Sequence, residues 1–251
     1  MDSSNIYIGF ALATFAGLST GIGSFLGLYS KFENKRLLSI SLGFAAGIMI
    51  YVSFVELLKL SFEDLSLLYG ATSGSLIAVT SFIVGLLTML LIDQLFDHHS
   101  IADFIARSSD KNETALIRTG IFSAIALAIH NFPEGFATFT AAVYDPTVGA
   151  TLAFAIAIHN IPEGLAVSVP IYYATKDKAK AFWVSFCSGL AEPVGAVIGF
   201  LVFSTVYNEA LFGISFGLCA GIMVYVALNE LLPVSKAVSY THLTLPTTPY
   251  V

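Results

Sequence analysis

Residues 128–135 read A-I-H-N-F-P-E-G and residues 157–164 read A-I-H-N-I-P-E-G, so one polar motif occurs twice and matches at seven of eight positions. Each copy lies near the middle of a long apolar segment, at 116–142 and at 148–173. A charged side chain at the centre of a bilayer costs about 2.5–3.5 kcal/mol on insertion scales, so such residues face the protein interior and usually have a function. The motif therefore predicts two membrane helices that meet through their polar residues.

Helical geometry groups the polar residues within each copy. Successive residues of an α-helix turn by about 100°, so Glu134 falls between the directions of His130 and Asn131. The second copy repeats this relation with His159, Asn160 and Glu163. Two such helices would offer imidazole nitrogens and carboxylate oxygens to one or two divalent ions, a ligand set suited to zinc and acceptable to iron, cobalt, manganese or cadmium. The alternative is a kinked helix with a satisfied polar patch, which two matching copies disfavour.

The composition indicates a polytopic membrane protein. Of the 251 residues, 56% are hydrophobic and 11% are charged, against about 25% charged in a soluble domain. Segments long enough to cross a hydrocarbon core of about 30 Å occur at 6–29, 37–60, 76–96, 116–142, 148–173, 182–207 and 211–234. We therefore predict an all-α membrane helix bundle surrounded by a lipid bilayer. The net charge of −6 is confined to short loops and does not indicate a nucleic-acid partner.

Basic residues are concentrated in alternate loops. They follow the first, third and fifth predicted spans, as Lys31, Lys35, Arg36, Arg107, Lys111, Arg118, Lys176, Lys178 and Lys180. The other loops contain only Lys59. By the positive-inside rule the amino terminus lies outside and these three loops are cytoplasmic.

A second internal repeat has a larger spacing. The stretch G-F-A-A-G-I-M-I-Y-V-S-F-V-E-L-L at 43–58 matches G-L-C-A-G-I-M-V-Y-V-A-L-N-E-L-L at 217–232. A weaker glycine match aligns span one with span six and sets Thr20 opposite Glu192. The members of each pair run in opposite directions, as in inverted-topology repeats. The repeat predicts eight spans, with spans one to three mirrored by six to eight and span four by five, although only seven are evident.

These motifs resemble the ZIP family of divalent metal transporters, especially its short-loop bacterial zinc-uptake members. H-N-x-P-E-G occurs in two consecutive spans and Glu192–Pro193 in the next, and the resemblance covers residues 6 to about 237. It implies eight spans in the cell membrane, a homodimer, and movement of divalent ions into the cytosol. The cargo would be chiefly Zn²⁺, with Fe²⁺, Mn²⁺, Co²⁺ and Cd²⁺ as further candidates, and no catalytic cofactor is implied.

The resemblance also implies two metal positions. The first would use His130, Glu134, His159 and Glu163, and the second Asn131, Glu134, Asn160, Glu163 and Glu192. Glu192 has no basic residue in its own span, which favours a functional role over simple packing against a threonine or the backbone.

Further acidic and histidine residues lie away from the motif. Glu56 falls towards the outer end of span two and Glu230 towards the inner end of span seven, where carboxylates would attract an entering cation and receive a leaving one. Solvation at the membrane interface is the alternative. His98 and His99 form a candidate weak metal site in the loop after span three, and ordinary solvated loop residues are the alternative.

A metal-dependent intramembrane hydrolase or a di-metal carboxylate enzyme is the competing class, and a metal-sensing receptor is a third. Di-iron bundles use Glu-x-x-His, whereas here each glutamate follows its histidine by four residues, and no separate nucleophile stands out. We therefore expect that the protein is not an enzyme.

The last residues differ in character from the rest of the chain. Residues 239–251 read S-Y-T-H-L-T-L-P-T-T-P-Y-V, too short and polar to span a membrane. We expect a truncated or foreign carboxy terminus there, with residues 1–238 as the transporter domain.

Overall fold

The computed structural model describes residues 2–29, 35–96, 113–206 and 208–240, and within these ranges every element is helical. The elements are α1 Ser3–Tyr29, α2 Lys35–Tyr51, α3 Leu58–Tyr69, α4 Ala71–Phe96, α5 Glu113–Tyr144, α6 Pro146–Thr175, α7 Lys178–Gly189, α8 Ala191–Thr205, α9 Glu209–Val226 and α10 Leu232–Tyr240. Two π-helical segments, Val52–Leu57 and Ala227–Leu231, join α2 to α3 and α9 to α10. The predicted all-α bundle is confirmed.

Six helical units are long and apolar enough to cross a membrane. They are Ser3–Tyr29, Leu38–Tyr69, Ala71–Leu95, Pro146–Val169, Lys178–Thr205 and Glu209–Lys236. Helix α5 is a further long helix of 32 residues that corresponds to the fourth predicted span. The second unit reaches Tyr69, well past the predicted end at residue 60, because α3 continues directly from the π-helical segment with no loop between them. Two features of the sequence lie outside the described residues. They are the candidate weak metal site of His98 and His99, and residues 241–251 of the tail.

The helices pack as two groups. Helices α1, α5, α6, α7 and α8 pack on one another, and α2, α3, α4, α9 and α10 form the other group. The groups meet where α2 lies against α6 and α9 against α5. The two motif helices therefore lie at the boundary between the groups.

A short turn makes the two motif helices an antiparallel pair. Helix α6 begins after Asp145, whose carboxylate accepts a hydrogen bond from the Thr147 amide at 2.7 Å. Pro146 occupies the first turn, where its missing N–H is not needed. This cap fixes the hairpin that brings the two copies of the motif face to face.

Glycine residues let the helices around the motif approach one another closely. A Cβ on Gly17 would collide with the carbonyl oxygen of Gly189, and a Cβ on Gly189 with that of Gly17. Gly135 meets the backbone of Glu192 and Gly164 meets the backbone of Thr20 in the same way. Small residues at helix contacts are typical of membrane bundles, since they allow backbones to pack directly.

Candidate metal centre

The ligand-type side chains of the motif are buried between α5 and α6. His130 and Glu163 are each 2% exposed, His159 is 1% exposed, and Glu134 is fully buried. His130 Nε2 lies 3.1 Å from Glu163 Oε1, and His159 Nε2 lies 3.1 Å from Glu134 Oε1. Each histidine thus contacts the glutamate of the other helix, so the two helices share one centre.

The spacing of these atoms suits a bound cation. Metal bonds of about 2.0–2.1 Å in a tetrahedron separate neighbouring ligand atoms by roughly 3.3 Å. His130 Nε2 lies 3.1 Å from Glu163 Oε1 and 3.8 Å from Glu134 Oε1, which brackets that value. Among the described residues, no group of three or more His, Cys, Asp or Glu side chains has the arrangement needed to hold a metal ion. The His–Glu contacts use the same Nε2 and Oε1 atoms that a cation would bind after displacing a proton.

Many oxygen atoms around the centre lack a hydrogen-bond partner. Among the described residues, the unpartnered buried atoms include Asn131 Oδ1, Asn160 Oδ1, Glu134 Oε2, Glu163 Oε2 and Glu192 Oε2. Leaving a buried polar atom without a partner costs about 1–3 kcal/mol. Oxygen atoms without a partner could accept a hydrogen bond from water or bind a cation.

The two asparagines are held through their amide nitrogens. Asn160 Nδ2 donates to the carbonyl oxygen of Ala16 at 2.9 Å and also to Glu192 Oε1. Asn131 Nδ2 donates to the carbonyl oxygen of Ser188 at 3.3 Å. The oxygen atoms of both amides have no hydrogen-bond partner among the described residues.

Glu192 lies just after an interruption between two helices, and its Oε1 accepts a hydrogen bond from Asn160 Nδ2. Helix α7 ends at Gly189 and α8 begins at Ala191, with Glu192 in its first turn and fully buried. The amino-terminal end of a helix favours a carboxylate, since its free N–H groups carry partial positive charge.

Glu230 lies beside the centre. Its Oε2 is 3.8 Å from His130 Nδ1, although the sequence suggested only a position towards the inner end of its span. It belongs to the π-helical segment Ala227–Leu231, and Glu56 belongs to the corresponding segment Val52–Leu57. Glu56 lines a groove between α2 and α6, with Gly47, Tyr51 and Ile158. Irregular π turns of this kind frequently occur at functional sites.

Sequence reasoning missed a polar pair near Glu230. Tyr225 Oη donates to Asp93 Oδ2 at 2.7 Å, which links α9 to α4. The available signal was Asp93 itself, a carboxylate inside the predicted span 76–96.

The fold defines a multi-pass membrane protein, and comparison with known proteins gives its family. The profile described as "ZIP Zinc transporter" matches residues 94–246. A protein named zinc transporter ZupT from Chlorobium chlorochromatii is 48% identical over 246 residues, which is 96% of this chain and 92% of the relative. Zinc transporters ZupT from Chlorobaculum parvum and Lysinibacillus sphaericus are 47% and 46% identical, covering 97% and 96% of this chain and 93% and 92% of their own lengths. The chain belongs to the ZIP family.

This membership confirms the resemblance inferred from the motifs. ZIP proteins move metal ions, so the metal is a transported substrate and not a catalytic cofactor. The expectation that the protein is not an enzyme is likewise confirmed, and the hydrolase and di-metal carboxylate alternatives are set aside.

Proposed function

We propose that the protein carries Zn²⁺ across the cell membrane into the cytosol through the centre between α5 and α6. The observation that carries this proposal is the crossed pairing of His130 with Glu163 and of His159 with Glu134, each at 3.1 Å. Four buried ligand-type groups from two antiparallel helices give zinc nitrogen and carboxylate donors without an exposed charge. The similarity to proteins named zinc transporters supports the same cargo.

The neighbouring asparagines and Glu192 form a second cation position that shares Glu134 and Glu163 with the first. Its donors are all oxygen atoms, which suit Mn²⁺ and Fe²⁺ better than the imidazoles do. Fe²⁺, Mn²⁺, Co²⁺ and Cd²⁺ are therefore further candidate substrates. Zn²⁺ remains the principal one, since only the first position offers nitrogen.

Transport follows from movement between the two helix groups. The centre lies on α5 and α6, which contact α9 and α2 of the other group, so sliding of one group on the other would open the centre to alternate sides. The paired glycine contacts, Gly135 with Glu192 and Gly164 with Thr20, support an inverted repeat of the kind that underlies alternating access. Glu56 and Glu230 would guide the ion at entry and exit. The amino terminus would lie outside, and the family resemblance also implies a homodimer, testable by mass measurement in detergent.

Uptake into proteoliposomes tests the proposed function. ⁶⁵Zn²⁺ is supplied outside vesicles that contain the full chain, the Glu134→Gln variant or the Glu63→Gln variant. Glu134 is fully buried, whereas the Glu63 side chain is 58% exposed, so the second variant is a matched control for the loss of one carboxylate. We expect accumulation with the unchanged chain and with Glu63→Gln, and none with Glu134→Gln. Equal accumulation in all three would overturn the proposal.

A further inference from the structure

Thr20 occupies on α1 the place that Glu192 occupies on α8. A Cβ on Gly17 would lie 3.3 Å from Glu192 Cβ, and a Cβ on Gly189 would lie 2.9 Å from Thr20 Cβ. The backbone of Glu192 meets Gly135, and that of Thr20 meets Gly164. Glu192 therefore lies against Gly17 of α1 and Gly135 of α5. Thr20 lies in the same way against Gly189 of α7 and Gly164 of α6.

The asparagines follow the same correspondence, with one difference. Asn160 bonds the carbonyl oxygen of Ala16 and the carboxylate of Glu192. Asn131 bonds the carbonyl oxygen of Ser188, and the residue that corresponds to Glu192 on its side is Thr20. The Asn160 side thus has a carboxylate, whereas the corresponding residue on the Asn131 side is a threonine, whose Oγ1 lies beside Gly189.

The Thr20 hydroxyl is fully buried and has no hydrogen-bond partner among the described residues. A helical threonine usually donates to the carbonyl oxygen four residues earlier, which for Thr20 is Ala16. That oxygen already accepts Ser19 Oγ at 2.6 Å and Asn160 Nδ2 at 2.9 Å, besides the bond of the helix itself. Since a carbonyl has two lone pairs, the usual acceptor is saturated and the hydroxyl stays free.

We infer that Thr20 Oγ1 and Asn131 Oδ1 form a neutral oxygen pair that binds a divalent cation or its water in the second position, and that Thr20 helps set metal preference. Both oxygens are buried and without a partner, so neither is committed to another contact. Neutral oxygens add little to Zn²⁺, which binds imidazole and needs four ligands, but help an ion such as Mn²⁺ that takes six oxygens. The inference rests on the proposed metal centre.

Binding of Zn²⁺ and Mn²⁺ to the full chain in detergent tests the inference, by titration calorimetry for both ions and by electron paramagnetic resonance for Mn²⁺. Thr20→Val keeps the shape of the side chain and removes the hydroxyl, while Thr20→Ser keeps the hydroxyl. We expect Thr20→Val to weaken Mn²⁺ binding by about tenfold, the range typical of losing one supporting contact, while Zn²⁺ affinity changes by less than about twofold. Thr20→Ser should behave like the unchanged chain.

A gain-of-binding variant excludes misfolding as the explanation. Thr20→Asp supplies the missing carboxylate, and we expect it to tighten Mn²⁺ binding by about tenfold because an anionic oxygen replaces a neutral one. The inference fails if Thr20→Val weakens both ions equally or neither, or if Thr20→Asp does not tighten Mn²⁺. If the unchanged chain binds no Zn²⁺ and matches Glu134→Gln, the proposed metal centre itself fails, which is a separate result.

Discussion

His130 on α5 and Glu163 on α6 lie with Nε2 and Oε1 3.1 Å apart, and His159 and Glu134 repeat this contact in the opposite sense at the same distance. Within α5 itself, His130 Nε2 is farther from Glu134, at 3.8 Å. The closest His–Glu contacts therefore cross between helices, and neither copy of the motif makes the centre alone.

Because the contacts cross, we predict that damage to either helix disables the whole centre. Glu163→Gln should lower Zn²⁺ affinity by more than about tenfold, as should Glu134→Gln, since each removes a carboxylate from the shared site. Calorimetric titration of the purified chain measures the affinity. Glu209→Gln is the control, because Glu209 is exposed at the start of α9. A variant that kept full Zn²⁺ affinity after losing either motif glutamate would contradict a shared centre.

Close backbone packing makes a second prediction about stability. In Gly164→Ala the new Cβ would collide with the carbonyl oxygen of Thr20 and lie 2.9 Å from the Ser24 amide nitrogen. Overpacking of this kind costs about 1–3 kcal/mol, so thermal unfolding in detergent should occur at a lower temperature. Gly47→Ala is the matched control, since no described atom lies within 4 Å of a Cβ at that position. Equal unfolding temperatures for the two variants would contradict the packing described for α1 and α6.

The contact between Glu230 and His130 makes a third prediction. Glu230 Oε2 lies 3.8 Å from His130 Nδ1, so Glu230→Gln should lower Zn²⁺ affinity by roughly tenfold, as the loss of a group that orients a ligating histidine does. Glu56→Gln changes the corresponding π-helical residue without touching a motif histidine and should leave equilibrium affinity unchanged while slowing initial uptake. Affinity is read from titration and the initial rate from ⁶⁵Zn²⁺ uptake. The same affinity loss in both variants would count against a specific role for Glu230.

The distribution of basic residues makes a fourth prediction, about orientation. In a background with Cys187 and Cys219 replaced by alanine, Asp2→Cys should react with a membrane-impermeant thiol reagent in intact cells. Lys178→Cys should react only after lysis, because the positive-inside rule assigns its loop to the cytoplasm. Both positions are exposed, so accessibility on the folded chain is matched. The reverse labelling pattern would invert the proposed topology.

The sequence alone predicts the helix bundle and the residues that cluster between α5 and α6. Long apolar segments specify membrane helices, and polar residues within them are too costly to face lipid, so the sequence alone predicts that His130 and Glu134 face the protein interior. It did not give the crossed contacts, because helical spacing relates only residues of one helix. Nor did it give the position of Glu230, since a π turn changes the hydrogen-bond register without changing hydropathy. Thr20 was aligned with Glu192, but its free hydroxyl depends on contacts made by Ser19 and Asn160.

The π-helical segment that contains Glu230 has a consequence for the direction of side chains on this helix. A single π turn accommodates one residue more than the α-helix around it, and one residue corresponds to about 100° of rotation around the axis. Side chains beyond the segment Ala227–Leu231 are therefore turned by that angle relative to an unbroken helix. Glu230 lies within this segment, so the π turn changes the direction of its carboxylate, whose Oε2 lies 3.8 Å from His130 Nδ1.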